Sequence, residues 1–208
     1  MSGLSRIAAD LGTTGYCALP SFVEGAVCSA LLDEIRGFRA SGDLREAGIG
    51  RGGERRVHSE IRSDRVLWID PLGATDAQAS YLDRMEGLRA DLNRELFLGL
   101  FDFEAHLACY PEGAFYRPHL DCHRDHAARV VSAILYLNRD WSEDDGGLLR
   151  LYTDRAAGVE GPFLDIVPEF GKVVLFLSAE FWHEVLPARR ERYSLTGWFR
   201  KRPDIPLA

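Results

Sequence analysis

Two stretches in the first half of the chain carry apolar residues three or four positions apart. Their apolar positions are, in chain order, Val27, Leu31, Ile35 and Phe38, and then Tyr81, Met85, Leu88, Leu92 and Leu96. This spacing gathers the apolar side chains on one face of a helix. We therefore predict two amphipathic helices. Between them, the glycine-rich segment from Gly48 to Arg56 is predicted to be a mobile loop that leads into a strand over Arg65–Ile69.

From Phe103 onward the pattern changes to short stretches with strand character, in which side chains alternate between two faces. Turn signals separate them at 111–113, 144–147 and 170–171. The predicted strands are Phe103–Tyr110, Phe115–Asp121, Arg129–Asn138, Gly147–Tyr152, Leu164–Val167, Lys172–Leu177 and Glu191–Phe199. Helices followed by many short strands indicate the α+β class. The expected architecture is a β-sandwich or jelly roll with the helices packed on one face.

Composition excludes several classes of protein. The 208 residues have a net charge of −7, which argues against a nucleic-acid-binding face. No apolar run approaches the roughly 20 residues needed to span a bilayer, and the first ten residues show no cleavable signal pattern. The four cysteines form no CxxC pair and are expected to be reduced, as in the cytosol. We expect a cytoplasmic single domain over 1–208, with helical support and the loop in 1–100 and the jelly-roll core in 101–200.

Two residues near the end of one predicted strand are candidate metal ligands. His119 and Asp121 lie two positions apart, so on a strand their side chains share a face. His183 could add a third ligand from a distant strand. Two histidines and one carboxylate leave open positions on a metal, which suits non-haem Fe(II) and oxygen chemistry. A second triplet, His123-Arg-Asp125, competes with the first, but it continues into a polar stretch typical of a loop.

The last predicted strand offers a site for an anion. Alternation places Arg192, Ser194, Thr196 and Trp198 on one face. An arginine inside a barrel needs an anionic partner, because an unpaired buried charge is very costly. A dicarboxylate would match the planar guanidinium, and Tyr136 could donate its hydroxyl to the same carboxylate. A salt bridge from Arg192 to an internal acid, and simple core packing of Tyr136 and Trp198, remain alternatives.

Taken together, these motifs resemble the prolyl-hydroxylase branch of the 2-oxoglutarate/Fe(II) dioxygenases, especially the animal oxygen-sensing enzymes and their bacterial relatives. The resemblance runs from about Ile61 to Phe199. It is carried, in order, by IRSDRVLWI from Ile61, ACYPEGAFYRPHLD from Ala108, RVVSAILYLNRDW from Arg129, GGLLRLY from Gly146 and HEVLPARRERYSLTGWF from His183.

The resemblance implies a double-stranded β-helix, which is a jelly-roll variant, and assigns roles to individual residues. His119, Asp121 and His183 would bind iron. Arg192 and Tyr136 would bind the distal carboxylate of 2-oxoglutarate, in a pocket also lined by Tyr110 and Thr196. The substrate-side residues it implies are Arg62, Tyr116 and Trp198, with Asp64 and Arg129 as a pair that ties the mobile loop to the barrel.

The implied activity is hydroxylation of a prolyl residue in a protein, with O2 as cosubstrate and conversion of 2-oxoglutarate to succinate and CO2. Ascorbate is a further candidate, as reductant. The expected partner is a protein with an exposed proline, for which a translation factor is plausible, and the segment from Gly48 to Asp64 would close over it. The alternatives are the same chemistry on a small molecule, such as a free amino acid, and a non-catalytic metal-binding sensor.

Overall fold

The computed structural model describes residues 3–48, 58–122 and 128–202. Three helices and eleven strands occur in these ranges. The helices are α1 (Gly3–Thr13), α2 (Gly25–Ser41) and α3 (Asp76–Leu96). The strands are β1 (Tyr16–Leu19), β2 (Arg45–Glu46), β3 (Arg65–Trp68), β4 (Asp102–Tyr110), β5 (Tyr116–His119), β6 (Arg129–Tyr136), β7 (Leu149–Tyr152), β8 (Phe163–Ile166), β9 (Val173–Leu177), β10 (His183–Val185) and β11 (Arg192–Arg200).

The strands form two antiparallel sheets. The larger sheet has the order β1-β9-β6-β11-β4-β3-β2, and the smaller one has the order β5-β10-β7-β8. Strands distant in sequence are neighbours, as when β11 lies between β4 and β6. This arrangement, with helices on one face, confirms the expected double-stranded β-helix of the α+β class.

Helix and sheet patterns meet in one hydrophobic core. The predicted stripe residues Leu31 and Ile35 of α2, and Met85 and Leu88 of α3, are fully buried there. They pack with alternate residues of the large sheet, such as Leu195. The opposite face of that sheet is therefore left to face the small sheet, and the functional side chains lie between the two.

Local signals set the ends of the helices. Thr75 caps α3 by accepting a hydrogen bond from the Gln78 amide at 3.2 Å. Gly42 ends α2 in the left-handed conformation that glycine adopts without a steric penalty.

Three elements were not predicted from the sequence: α1, β1 and the two-residue strand β2. A fourth, β10, was expected only as a distant strand that carries His183, without bounds. Among the described residues, no helix combines the length and apolar character that a membrane crossing requires. The predicted loop over Gly48 to Arg56 lies outside the described residues except for Gly48. The triplet at His123 and Asp125 lies outside them too.

Candidate active site

The small sheet brings two histidines to the same point. His119 ends β5 and His183 begins β10, and the two residues are directly opposite in the antiparallel register. Opposed residues of an antiparallel pair project to the same face, so their rings lie close, with centroids 4.1 Å apart. Strand pairing, and not proximity in sequence, unites these two side chains.

Asp121 joins them from a bend and not from the strand, because β5 ends at His119. The predicted strand was therefore two residues too long at its end, and one at its start. The backbone N–H of Cys122 donates to Ser178 at 3.2 Å and holds the bend against the neighbouring sheet. The Asp121 carboxylate lies 3.7 Å from Nε2 of His119 and 3.5 Å from Nε2 of His183.

Hydrogen bonds prepare both imidazoles for a metal. Nδ1 of His119 lies 2.8 Å from the Arg117 carbonyl, and Nδ1 of His183 lies 3.1 Å from the Phe181 carbonyl. A carbonyl can only accept, so Nδ1 carries a proton in each ring, and in the neutral imidazole this leaves the lone pair on Nε2. Outer hydrogen bonds of this kind fix the ligating tautomer in metal sites.

Electrostatics keep His183 and Asp121 in the forms a cation requires. Burial lowers the pKa of His183 to about 4, which leaves this imidazole neutral. Burial also acts to raise the pKa of Asp121, but His183, His119 and the Ser132 hydroxyl outweigh it and hold that pKa well below its usual range. The ligand atoms all lie within 4.8 Å of one another. Two neutral imidazoles and one carboxylate fit Fe(II).

A second functional group lies at the start of β11. Arg192 is 1% exposed, and its Nε donates to the Gly147 carbonyl at 2.8 Å. Its guanidinium carbon lies 4.8 Å from the ring centroid of Tyr110 and 5.0 Å from that of Tyr136. Within the described parts of the chain, Arg192 forms no ion pair. The alternative of an internal salt bridge is therefore not what this structure shows, and the buried cation requires an anion from outside.

Tyr136 contributes an unpaired polar atom beside this cation. Its hydroxyl is buried and has no hydrogen-bond partner among the described residues. Burial raises the pKa of Tyr136 to about 12, so the hydroxyl remains a donor. Tyr136 is not among the residues that line the cavity, but its ring contacts Arg192. An anion held by Arg192 would supply the missing acceptor.

A cavity of about 300 Å³ between the two sheets connects the metal ligands with Arg192. This volume is at the lower end of the range typical of ligand pockets. As predicted from strand alternation, Arg192, Ser194, Thr196 and Trp198 all face it. Apolar residues fill the wall between the charged groups: Ile134, Leu149 and Val185.

Comparison with known proteins agrees with this site. The sequence model described as the 2OG-Fe(II) oxygenase superfamily matches residues 105–200. The crystal structure of a Pseudomonas putida prolyl-4-hydroxylase is 45% identical, with a TM-score of 0.86, covering 95% of this chain and 99% of that one. The chain belongs to the prolyl-hydroxylase branch of the 2-oxoglutarate/Fe(II) oxygenases.

Two further relatives of this oxygenase extend the comparison. Human Egl nine homolog 1 is 29% identical over 206 residues, which are 94% of this chain and 46% of that protein. The chain thus spans about half the length of the curated relatives that it first matches. A Trichoplax adhaerens prolyl hydroxylase, solved in complex with a hypoxia inducible factor oxygen degradation domain peptide fragment, is 27% identical. Its TM-score is 0.82, with 95% and 89% of the two chains covered.

The substrate-side residues implied by the resemblance line the mouth of the oxygenase cavity. Tyr116 stacks on His119 with ring centroids 3.5 Å apart, and the Arg62 guanidinium lies 4.3 Å from the Tyr116 ring centroid. Trp198 is buried, and the guanidinium carbon of Arg129 lies 3.5 Å from its ring centroid. Arg62, Tyr116, Arg129 and Trp198 all line the cavity, whereas Asp64, the fifth residue of the implied set, does not.

The expected pairing of Asp64 with Arg129 is wrong in this structure. Asp64 receives two hydrogen bonds from Arg62, at 2.8 and 2.6 Å, because the residues are two positions apart and both face inward. Arg129 instead donates to Glu104 at 2.9 Å, across the intervening strand β11. Arg62 is therefore paired with an acid two residues along the chain, and Arg129 with an acid on another strand of the large sheet.

Several residues of the site were not predicted from the sequence. Ser132 donates to Asp121 at 2.7 Å and lies 2.9 Å from Ser178, so two small polar residues on β6 and after β9 support the carboxylate. Trp68, at the end of β3, and His106, on β4, line the cavity. Alternation along β4 could have placed His106 on the same face as Tyr110, but the sequence left both core and pocket open for it.

Proposed function

We propose that this protein is a 2-oxoglutarate- and Fe(II)-dependent dioxygenase that hydroxylates a prolyl residue in a protein, converting 2-oxoglutarate to succinate and CO2. One observation carries the proposal. A His-Asp-His cluster with free Nε2 atoms and a buried arginine without an acidic partner face the same cavity. Only a ligand that joins a metal to a distal anion uses both features.

Each residue has a defined task in this proposal. His119, Asp121 and His183 hold the iron, which together with 2-oxoglutarate supplies the oxygen chemistry when bound. Arg192 binds the distal carboxylate by charge-assisted hydrogen bonds, with Tyr136 as a second donor. The apolar wall excludes water, which strengthens these charged contacts.

Further residues complete the 2-oxoglutarate pocket and the substrate side. Tyr110 and Thr196 line the pocket beside Arg192. Trp198 and Tyr116 provide aromatic surfaces near the iron for a prolyl ring. Asp64 keeps Arg62 in place over Tyr116 through two hydrogen bonds.

The proposed substrate is a protein with an exposed proline. Support comes from the prolyl-hydroxylase relatives, one of which was solved with a peptide fragment. We further propose a cytoplasmic setting, which the four free cysteines support, with a translation factor as the first client to test and ascorbate as reductant. The helices and the large sheet share one core, which supports residues 1–208 acting as one domain.

The test is hydroxylation of a library of proline-centred peptides, scored by mass spectrometry together with succinate release. Hydroxylation should require Fe(II) and 2-oxoglutarate. It should be lost in Asp121→Ala and retained in Asp125→Ala, the matched change in the competing triplet. Succinate release with a free amino acid as the preferred substrate, or full activity in Asp121→Ala, would contradict the proposal.

A further inference from the structure

His106 is a buried histidine whose ring forms no hydrogen bond within the part of the chain that the structure describes. It is 4% exposed, it lines the cavity, and its Nδ1 is buried without a partner. Neither ring nitrogen forms a hydrogen bond with any described residue. A neutral imidazole carries one N–H donor and one acceptor nitrogen. Both are therefore available, and leaving them unpaired destabilises the free protein.

Two tryptophans surround this ring. The centroid of His106 lies 4.9 Å from that of Trp68 and 5.3 Å from that of Trp198. The Nε1 of Trp198 is also buried without a partner, so the cluster holds a second unused N–H donor. Trp68 is 48% exposed, at the last position of β3, and covers the cluster from the solvent side.

The charges around this cluster are already paired, so its ligand is neutral. Arg62 is held by Asp64, and Arg129 by Glu104. Burial lowers the pKa of His106 to about 3, which keeps the imidazole uncharged. His106 is also separate from the metal cluster, which contains His119, Asp121 and His183 alone among the described residues. The cluster therefore offers donors and one acceptor to an uncharged ligand that has both an acceptor and a donor.

A secondary peptide amide has this complementarity, since it carries one C=O acceptor and one N–H donor. The amide that precedes a proline cannot fill this role, because its nitrogen has no hydrogen. The nearest amide with an N–H is the one that follows the proline. Resting on the proposed prolyl hydroxylation, we propose that His106 and Trp198 recognise the peptide amide on the carboxyl side of the target proline, with Trp68 as the surface on which the following residue lies.

The test compares two ligands on two proteins, each as the Fe(II) and 2-oxoglutarate holoenzyme. A hydroxylated peptide from the proline-centred library is resynthesised with an ester in place of the amide after the proline, which replaces the N–H donor by an oxygen and leaves a carbonyl that is a weaker acceptor. His106→Phe retains an aromatic ring between the tryptophans and removes both nitrogens. His106→Gln restores one donor and one acceptor. His58→Phe is the control, since His58 lies 2.9 Å from Glu60 and does not line the cavity.

We expect the KM for the amide peptide to rise roughly tenfold in His106→Phe and to recover largely in His106→Gln. The KM for 2-oxoglutarate should not follow this change. The ester should weaken binding to the wild type but not further weaken binding to His106→Phe. Equal KM values in the wild type and His106→Phe, or an ester effect that survives the substitution, would overturn this inference and leave the proposed function intact. Hydroxylation of no peptide at all would overturn both.

Discussion

Replacing Gly147 by alanine should weaken 2-oxoglutarate binding although it replaces none of the residues proposed to bind it. Gly147 has φ +64° and accepts a hydrogen bond from Arg192 through its carbonyl. A Cβ at this position would lie 2.9 Å from Cδ of Arg192 and 3.3 Å from Cβ of Ala188. The first contact is shorter by about 0.6 Å than the roughly 3.5 Å at which two carbon atoms are in contact. Arg192 must therefore move out of its present position against the rings of Tyr110 and Tyr136.

The size of the effect follows from two separate costs. A left-handed alanine costs about 1–2 kcal/mol of stability. A charged hydrogen bond contributes about 1.5–3 kcal/mol, so losing half of it weakens 2-oxoglutarate binding roughly 4- to 12-fold. Gly113→Ala should incur only the backbone cost, since Gly113 has φ +80° and no atom lies within 4 Å of its Cβ position.

Both variants should be assayed by thermal unfolding and by anaerobic calorimetric titration of the Fe(II) enzyme with 2-oxoglutarate. Each should lower Tm, by roughly 2–4 °C for every kcal/mol. Only Gly147→Ala should lower the affinity for 2-oxoglutarate. Wild-type affinity in Gly147→Ala, with a Tm loss matching that of Gly113→Ala, would show that the position of Arg192 does not determine 2-oxoglutarate binding.

Three further predictions concern the metal, the sheet and pH. Ser132→Ala removes a hydrogen bond to Asp121 and should weaken Fe(II) binding roughly 10- to 100-fold in an anaerobic metal titration; unchanged affinity would refute the supporting role. Gly197→Ala would place a Cβ 2.7 Å from a backbone oxygen of β4 and should destabilise the fold by about 1–3 kcal/mol. Gly87→Ala, in open space on α3, should stabilise the fold by up to about 1 kcal/mol. Urea unfolding measures the free energy of unfolding of both variants. Since burial lowers the pKa of His106 from 6.5 to about 3, the unfolded chain binds the extra proton below pH 6.5, and stability falls as pH falls through that range. The wild type should lose about 2 kcal/mol more than His106→Phe between pH 7.5 and 5, and equal losses would contradict this.

The long amphipathic elements could be predicted from the sequence because their burial patterns repeat. α2 and α3 each present several buried residues at helical spacing, and β4, β6 and β11 are eight or nine residues long. The strand β2 has two residues, which is too short for a periodic signal, and β1 stands alone between the helices α1 and α2. Their positions depend on pairing with β9 and β3, which only the folded chain brings together.

The three metal ligands could be predicted from the sequence, but the contacts that hold them in place could not. His119 and Asp121 stand out by spacing, but the bend at Asp121 and the support from Ser132 depend on contacts between distant strands. The ion pair of Arg129 with Glu104 depends in the same way on the registers of β4 and β6 against β11. Glu104 therefore holds Arg129, although no local pattern in the sequence connects the two.

The most direct measurement follows the oxygen atoms. The Fe(II) enzyme is incubated under ¹⁸O2 with 2-oxoglutarate and a hydroxylatable proline-centred peptide, and both products are analysed by mass spectrometry. We predict one ¹⁸O atom in the prolyl residue and one in succinate, in equal amounts, and neither product in Asp121→Ala. Hydroxyproline without ¹⁸O, or succinate labelled while the peptide stays unmodified in every sequence tested, would contradict the assignment of this protein as a dioxygenase of prolyl residues.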